Sequence, residues 1–496
     1  MKKSLKHLLS LFLVMAMVFV VTSCDDDETT PAPSISAPGA QSVEFGGSAT
    51  LSFSITAQGG YASAVATAVN GTATITAEPT VNATTGTIEV SFTASGAGAA
   101  GVTVVITDAK AQTSTATAII TVEQEITTVT VSSNVTANTT WETGKTYILA
   151  GRITVVSGAT LTIQPGVVVK GQAGAGANAT ALLVARGGKL NAEGTAALPI
   201  IFTSVADEIT PADVAAGNLA SPNLSSEVSG LWGGVIILGK ARISASNSAG
   251  DVSEVQIEGI PTSDPNGLYG GSDDADNSGT IRYISIRHGG SNIGNGNEIN
   301  GLTLGGVGSG TTISFVEIVA NQDDGIEFFG GSVNVSNAVV WNGNDDGIDT
   351  DQSWSGTLDN FVVISPNTAG AHCFELDGPE GTYSAGHTIK NGSVMASFAS
   401  RAAENLIDVD NNSIVNLENI FITGIKTGQD VNRTSAAGVV FTKIELNVPS
   451  ADLQNFVTGT IPAGITAAST PSTGVGADLT KFTWTWASKS TEWGSL

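Results

Sequence analysis

The chain has 496 residues, with 45 acidic against 20 basic side chains and a formal net charge of −25. Such a surface repels nucleic acid and anionic membranes, and it is compatible with bound divalent cations. Only 13% of residues are charged and 59 are glycine, a composition that suits many short strands joined by tight turns.

Met1-Lys2-Lys3, with Lys6, gives a basic head to the apolar stretch from Leu8 to Val21. The stretch is short for a spanning helix and has the layout of an export signal. It ends Val21-Thr22-Ser23-Cys24, small residues before a cysteine, which is the shape of a lipobox. Residues 1–23 are therefore expected to be a lipoprotein signal peptide, with Cys24 taking the lipid and holding the chain at the outer membrane. The competing reading is a secretory signal cut without lipidation. Asp25, Asp26, Asp27 and Glu28 follow, and 24–32 reads as an acidic spacer. An acidic run in this place resembles the surface-export signal of Bacteroidetes lipoproteins. Without its signal the chain carries about −28, since all 45 acidic residues remain with 17 basic ones.

Residues 33–124 alternate as a two-sheet sandwich does. Leu51, Phe53 and Ile55 share one strand face, Ile88, Val90 and Phe92 a second, and Val102, Val104 and Ile106 a third. The pattern resembles the immunoglobulin-like modules that act as spacers in bacterial surface proteins, and a stalk is expected.

From Val129 the texture changes to runs of four to six residues rich in Val and Ile, each bounded by Gly, Asn or Asp. Such short strands and regular corners predict a right-handed parallel β-helix over 128–425. The fold class is thus all-β throughout. Asn321-Gln322-Asp323-Asp324-Gly325-Ile326-Glu327 recurs 22 residues later as Gly343-Asn344-Asp345-Asp346-Gly347-Ile348-Asp349, about one coil. Asn337, Asn360, Asn391 and Asn419 lie in similar contexts and predict an asparagine ladder at one corner. Residues 205–229, 261–279 and 291–298 read as projecting insertions. Residues 426–496 lose the rhythm and read as a capping region, with Phe482, Trp484, Trp486 and Trp493 covering or extending the last coil; sugar stacking is the alternative for these tryptophans.

Stacked coils lie ~4.8 Å apart, so Asp323, Asp324 and Glu327 are expected almost on top of Asp345, Asp346 and Asp349, with Asp351 close by. These seven carboxylates need compensation, and calcium is the natural oxygen-seeking ion outside a cell. The spacing is not that of an EF-hand. Asx-type turns that cap their own backbone are the simpler account. If the corner were catalytic, Asp324, Asp346 and Asp349 would supply the paired carboxylates of glycoside hydrolysis. Arg287 and His288 would supply the base and charge needed for elimination, or else a corner salt bridge and a packed histidine. Phe328, Phe329, Trp341 and Trp354 flank the corners, with Trp232 and Tyr269 near the insertions, either as glycan platforms or as core. Cys373 beside His372 would be a nucleophile pair only if both faced one side. Neighbouring strand residues point oppositely, so a buried thiol is expected.

Several segments together carry a resemblance: Leu182-Leu183-Val184-Ala185-Arg186-Gly187-Gly188-Lys189, Leu231-Trp232-Gly233-Gly234, Ile284-Ser285-Ile286-Arg287-His288-Gly289-Gly290, Asp323-Asp324-Gly325-Ile326-Glu327-Phe328-Phe329-Gly330-Gly331, and Asp349-Thr350-Asp351-Gln352-Ser353-Trp354. Over about 128–430 the chain resembles uncharacterised Bacteroidetes surface lipoproteins with a parallel β-helix, broadly of the pectate-lyase type. The resemblance implies a fold and carries no reaction. The first expectation is a tethered, calcium-braced β-helix that binds glycan or another surface macromolecule without catalysis. The alternative is a surface-tethered polysaccharide lyase or glycoside hydrolase.

Overall fold

The structure, a computed structural model, describes residues 30–123, 127–292, 299–364 and 371–496. The export signal and Cys24 fall outside the described residues. The chain divides into two compact units, Met1–Glu125 and Ile126–Leu496.

In the first unit, Ser34–Ser36, Ser48–Thr56, Thr85–Ala94 and Gly71–Ala77 form one four-stranded sheet. Gln41–Val43, Thr113–Val122, Gly98–Asp108 and Tyr61–Val69 form another. Alternate residues of both, Leu51, Phe53, Ile88, Val90, Phe92, Val102, Val104, Ile106 and Ile120 among them, share one core. Period-two patterning makes that outcome physical: each strand is apolar on one face only.

The second unit is a parallel β-helix. Its early coils carry three strands each: Thr160–Ile163, Val168–Gly171 and Leu182–Val184 pair in parallel with Lys189–Glu193, Ile200–Ser204 and Val235–Leu238. From Gly279–Arg287 onward two of the three fuse. Arg282 pairs with Glu193 and Ile284 with Ile200, leaving Tyr283 between them at φ 50°. One left-handed residue thus replaces a whole corner loop.

Later coils repeat the device at Phe315, Asn337, Asn360, Asn391, Asn419 and Lys443, with φ between 53° and 61°. Asparagine tolerates this conformation better than most residues because its short polar side chain bonds locally. The ladder forms in segments. Asn360 donates to Oδ1 of Asn337 at 2.7 Å, Asn419 donates to Oδ1 of Asn391 at 3.0 Å, and Asn391 turns to Asp359 at 2.6 Å. Where the corner residue is aromatic, Tyr283 stacks on Phe315 with centroids 4.3 Å apart, a contact of ~1 kcal/mol that offsets part of the backbone strain.

The parallel sheet does not end near residue 425. Gly438–Leu446 pairs with Ile414–Thr423, and Ile465–Ala467 pairs in turn with Gly438–Leu446. Nor does the final tryptophan segment extend the last coil. It forms short 3-10 turns, Leu479–Phe482, Ala487–Lys489 and Trp493–Ser495. Phe482 and Ala487 bury against Val319, Val339, Trp341, Val362 and Met395 on the outer face of the middle coils. Those outward positions are apolar, so they need a cover, and the alternating aromatics supply a lateral strap.

The insertions also fold back. Ile209 and Val214 of the first bury against Val168 and Ile201. Ile243, Ile257, Ile260 and Tyr269 bury against Leu183, Ile236 and Leu238, and Arg152–Asp264 at 3.0 Å and Arg186–Glu254 at 2.8 Å pin that cover. Residues 293–298 lie outside the described residues.

Candidate metal and active site

The shorter sheet of the helix has eight parallel strands, among them Leu302–Gly305, Ile326–Phe329, Ile348–Asp351, Phe374–Leu376 and Asp408–Val409. Inward positions such as Leu304, Phe328 and Leu376 line the core. The outward positions form a column in strict register: Leu183, Ile236, Thr303, Glu327, Asp349, Glu375, Asp408. The column is apolar under the insertion that covers it and becomes acidic at Glu327. A second column stands at the preceding corner. The amides of Gly325 and Gly347 donate to the carbonyls of Asp346 and His372, and His372 bridges to Asn405. Asp324, Asp346 and His372 are thereby stacked one coil apart, three residues before Glu327, Asp349 and Glu375.

Three groups of potential ligand atoms converge within 4.8 Å: Asp323, Asp324 and Asp345; Asp324, Glu327 and Asp349; and Asp346, His372 and Glu375. The predicted stacking of the two Asp-Asp-Gly corners is thus present. Asp351 stands apart from these groups, one column over beside Asp377. His372 and Glu375 were missed by the sequence reading, although Cys373-Phe374-Glu375-Leu376-Asp377 is a third copy of Gly347-Ile348-Asp349-Thr350-Asp351. The longer spacing, 26 residues from Asp346 to His372, hid it. Arg433 was missed as well; it sits 2.6 Å from Asp408 at the end of the column.

Burial and mutual repulsion make the cluster costly to ionise unless protons or a cation compensate. Burial pushes Asp324 well above the carboxylate range, helped by the charges of Asp349, Asp323, Asp346 and Asp345. Burial and Asp349 do the same to Glu327, and burial and Asp346 to Asp349. A hydrogen bond with Asp346, then burial, pushes Glu375 up to about 10. Burial and Glu380 raise Asp351 to about 8. For His372 burial acts downward, but Asp346, Asp408 and Glu404 outweigh it and raise it. Oδ1 of Asp349 and Oδ1 of Asn300 are sealed from solvent with no hydrogen-bond partner, and the Asn300 amide donates to Glu327. Converging carboxylates with orphaned oxygens fit a hard divalent ion.

For the remaining candidates the structure shows the burial or pairing that was one of the readings open to them. Arg287 and His288 do not join the acidic corner. They lie at the end of the longer sheet's strand, 1% and 0% exposed. Arg287 pairs with Glu317 at 3.6 Å and bonds Ser285 at 2.8 Å, under the ring of Trp486. The outward face there is sealed by the strap, so neither residue meets a substrate. The aromatic platforms are core as well. Phe328 stacks on Trp354 at 3.9 Å, and Trp232 is fully buried. Trp341 lies under Trp486, while Phe329 sits beneath the covering insertion against its Tyr269. Cys373 points into the core and burial raises its thiol.

Fold and site together define a parallel β-helix whose outer face carries clustered carboxylates and a histidine. Residues 133–491 match the family described as pectate-lyase like beta helix domain, and the chain belongs to that family. No curated protein and no solved structure matches it. The expectation of a purely binding, non-enzymatic helix is overturned by this family and by the mixed carboxylate and histidine cluster, which together are typical of a metal-assisted active site.

Proposed function

We propose that the chain is a polysaccharide-cleaving enzyme whose catalytic face is made by the two adjacent acidic columns, Asp324 and Asp346 with His372 at the corner and Glu327, Asp349, Glu375 and Asp408 on the strands. The carrying observation is the switch of one outward column from apolar to acidic, on a pectate-lyase-like helix. Asp324, Glu327 and Asp349 would hold calcium, with Asp323 and Asp345 at the rim. A calcium ion there would neutralise a uronate carboxylate and acidify the neighbouring C–H, the need of an eliminating lyase. Two neighbouring residues would assist binding. Arg433, fixed by Asp408 and by the Val409 carbonyl at 2.6 Å, offers an anionic sugar a guanidinium in a negative field. Asn300 orients Glu327.

Hydrolysis is the second reading, because carboxyls stacked one coil apart, at ~4.8 Å, approach the ~5 Å separation of a retaining pair. The products separate the two: an unsaturated, ultraviolet-absorbing end from elimination, a plain reducing end from hydrolysis. The test is a panel of acidic and neutral polysaccharides with calcium or chelator. Cleavage that disappears in Asp349→Asn supports the proposal, and no cleavage of any member by the calcium-loaded chain sinks it.

We further read the chain as lipid-anchored through Cys24 at the outer membrane, facing outward, with the first unit as an immunoglobulin-like stalk, as in Bacteroidetes surface lipoproteins. The basic head, the apolar run and Val21-Thr22-Ser23-Cys24 support this reading. Calcium-containing surroundings then follow from the address, and a glycan or another surface macromolecule is the partner in this reading. Radiolabelled palmitate incorporation that persists in Cys24→Ala would refute the anchor.

A further inference from the structure

The oxygen-only group and the histidine-containing group differ in the ion they suit. Asp324, Glu327 and Asp349 offer only carboxylate oxygens, and the nearby Asn300 Oδ1 is sealed and unpartnered; that set suits a hard ion. One coil further on, Asp346, His372 and Glu375 bring a ring nitrogen and two carboxylates to within 4.8 Å of each other. Calcium takes oxygen ligands and has little use for imidazole, whereas zinc and its neighbours bind imidazole and carboxylate together.

Three further observations single out His372. Its Nδ1 lies 3.0 Å from Asp346 Oδ1, yet off the line a ring N–H would need, and the atom is sealed from solvent without a hydrogen-bond partner. Its Nε2 faces Asp408 Oδ2 at 3.9 Å, the place of the outer carboxylate that orients a metal-bound histidine. Asp346 itself is 2% exposed, so a ligand at this position is already desolvated.

We propose that Asp346, His372 and Glu375 form a second metal site, selective for a zinc-class transition ion and separate from the oxygen-only calcium site one coil away. Three protein ligands leave the fourth position of a four-coordinate ion to water or substrate. Adjacent coils put the two ions on one column, roughly 5 Å apart. The site is a binding claim and stands whether or not a polysaccharide is cleaved.

The experiment is calorimetric titration of the chelator-treated full chain with zinc alone, calcium alone, and zinc after calcium saturation. Zinc is expected to bind at one equivalent with calcium already present. His372→Gln is expected to weaken zinc at least tenfold while calcium binding persists, which also shows that the variant is folded. Asp324→Asn should do the reverse. Zinc binding unchanged in His372→Gln, no zinc binding at all, or zinc and calcium competing for a single equivalent would each overturn the proposal.

Discussion

Glu327 and Asp349 stand directly opposite one another on neighbouring parallel strands, and burial raises both carboxyls well above their usual range. Like charges in this position destabilise a sheet, so the metal-free column holds protons that an unfolded chain would release.

That relationship sets a pH dependence. Asp377 is raised to about 6 by burial and Asp410, Asp351 to about 8, and Glu375 to about 10. Carboxyls raised in the folded state favour folding fully below their unfolded pKa of ~4, and that contribution is lost as pH rises through the folded values. The chelated protein should therefore melt at steadily lower temperature between pH 5 and 9. Asp351→Asn should flatten the fall through pH 8. A chelated melting point that rises over this range would contradict the assignment.

Calcium should reverse that slope, because the ion takes the ionised carboxylates. Saturation at a hundredfold excess over Kd stabilises by ~2.7 kcal/mol, a few degrees in thermal midpoint for a unit of this size. Scanning calorimetry with calcium and then chelator gives the measurement. The shift should vanish in the double variant Glu327→Gln, Asp349→Asn.

The left-handed corner makes a different prediction. Asn391, at φ 60°, donates to Asp359 and accepts from Asn419. Asn391→Ala adds backbone strain of ~1–2 kcal/mol and removes two hydrogen bonds of ~1 kcal/mol each. The loss should be about 3–4 kcal/mol by urea denaturation. Asn391→Gly escapes the strain and should be milder by ~1 kcal/mol.

Arg287 should prove structural. Arg287→Met leaves Glu317 buried without its cation and should cost ~3–5 kcal/mol. Pairing it with Glu317→Gln should recover much of that, since the amide oxygen still accepts from the Ala487 N–H and the NH2 group can donate to the Ser285 hydroxyl that Arg287 no longer occupies. Any polysaccharide cleavage should survive per folded molecule in the double variant. Loss of cleavage with the fold intact would return Arg287 to the active site.

The coil repeat was legible because Asn321–Glu327 and Gly343–Asp349 use the same residues for the same corner, and the structure pairs Val316 with Ala338 at that offset. The asparagine corner was legible for a similar reason: few residues take a positive φ cheaply. His372 and Glu375 were hidden because the loop before them lengthens the coil, and a strand position can change its side chain while keeping its direction. The catalytic alternative for Arg287 failed because closeness along the chain says little about which face of a coil a residue occupies, whereas its salt-bridge alternative is what the structure holds. The strap at Phe482–Trp486 alternates like a strand, yet its partner is an apolar face far back in sequence, which no local pattern reports.

The fused corner has a consequence for how such a chain can change. One left-handed residue fixes that vertex at constant length, while the number of residues per coil runs from 22 between Val316 and Ala338 to 32 between Ile284 and Val316. All of the slack is discharged at the other vertices. Segments of quite different length can be spliced in there without slipping the ladder, so new substrate-facing loops are mechanically uncoupled from the spine that carries them.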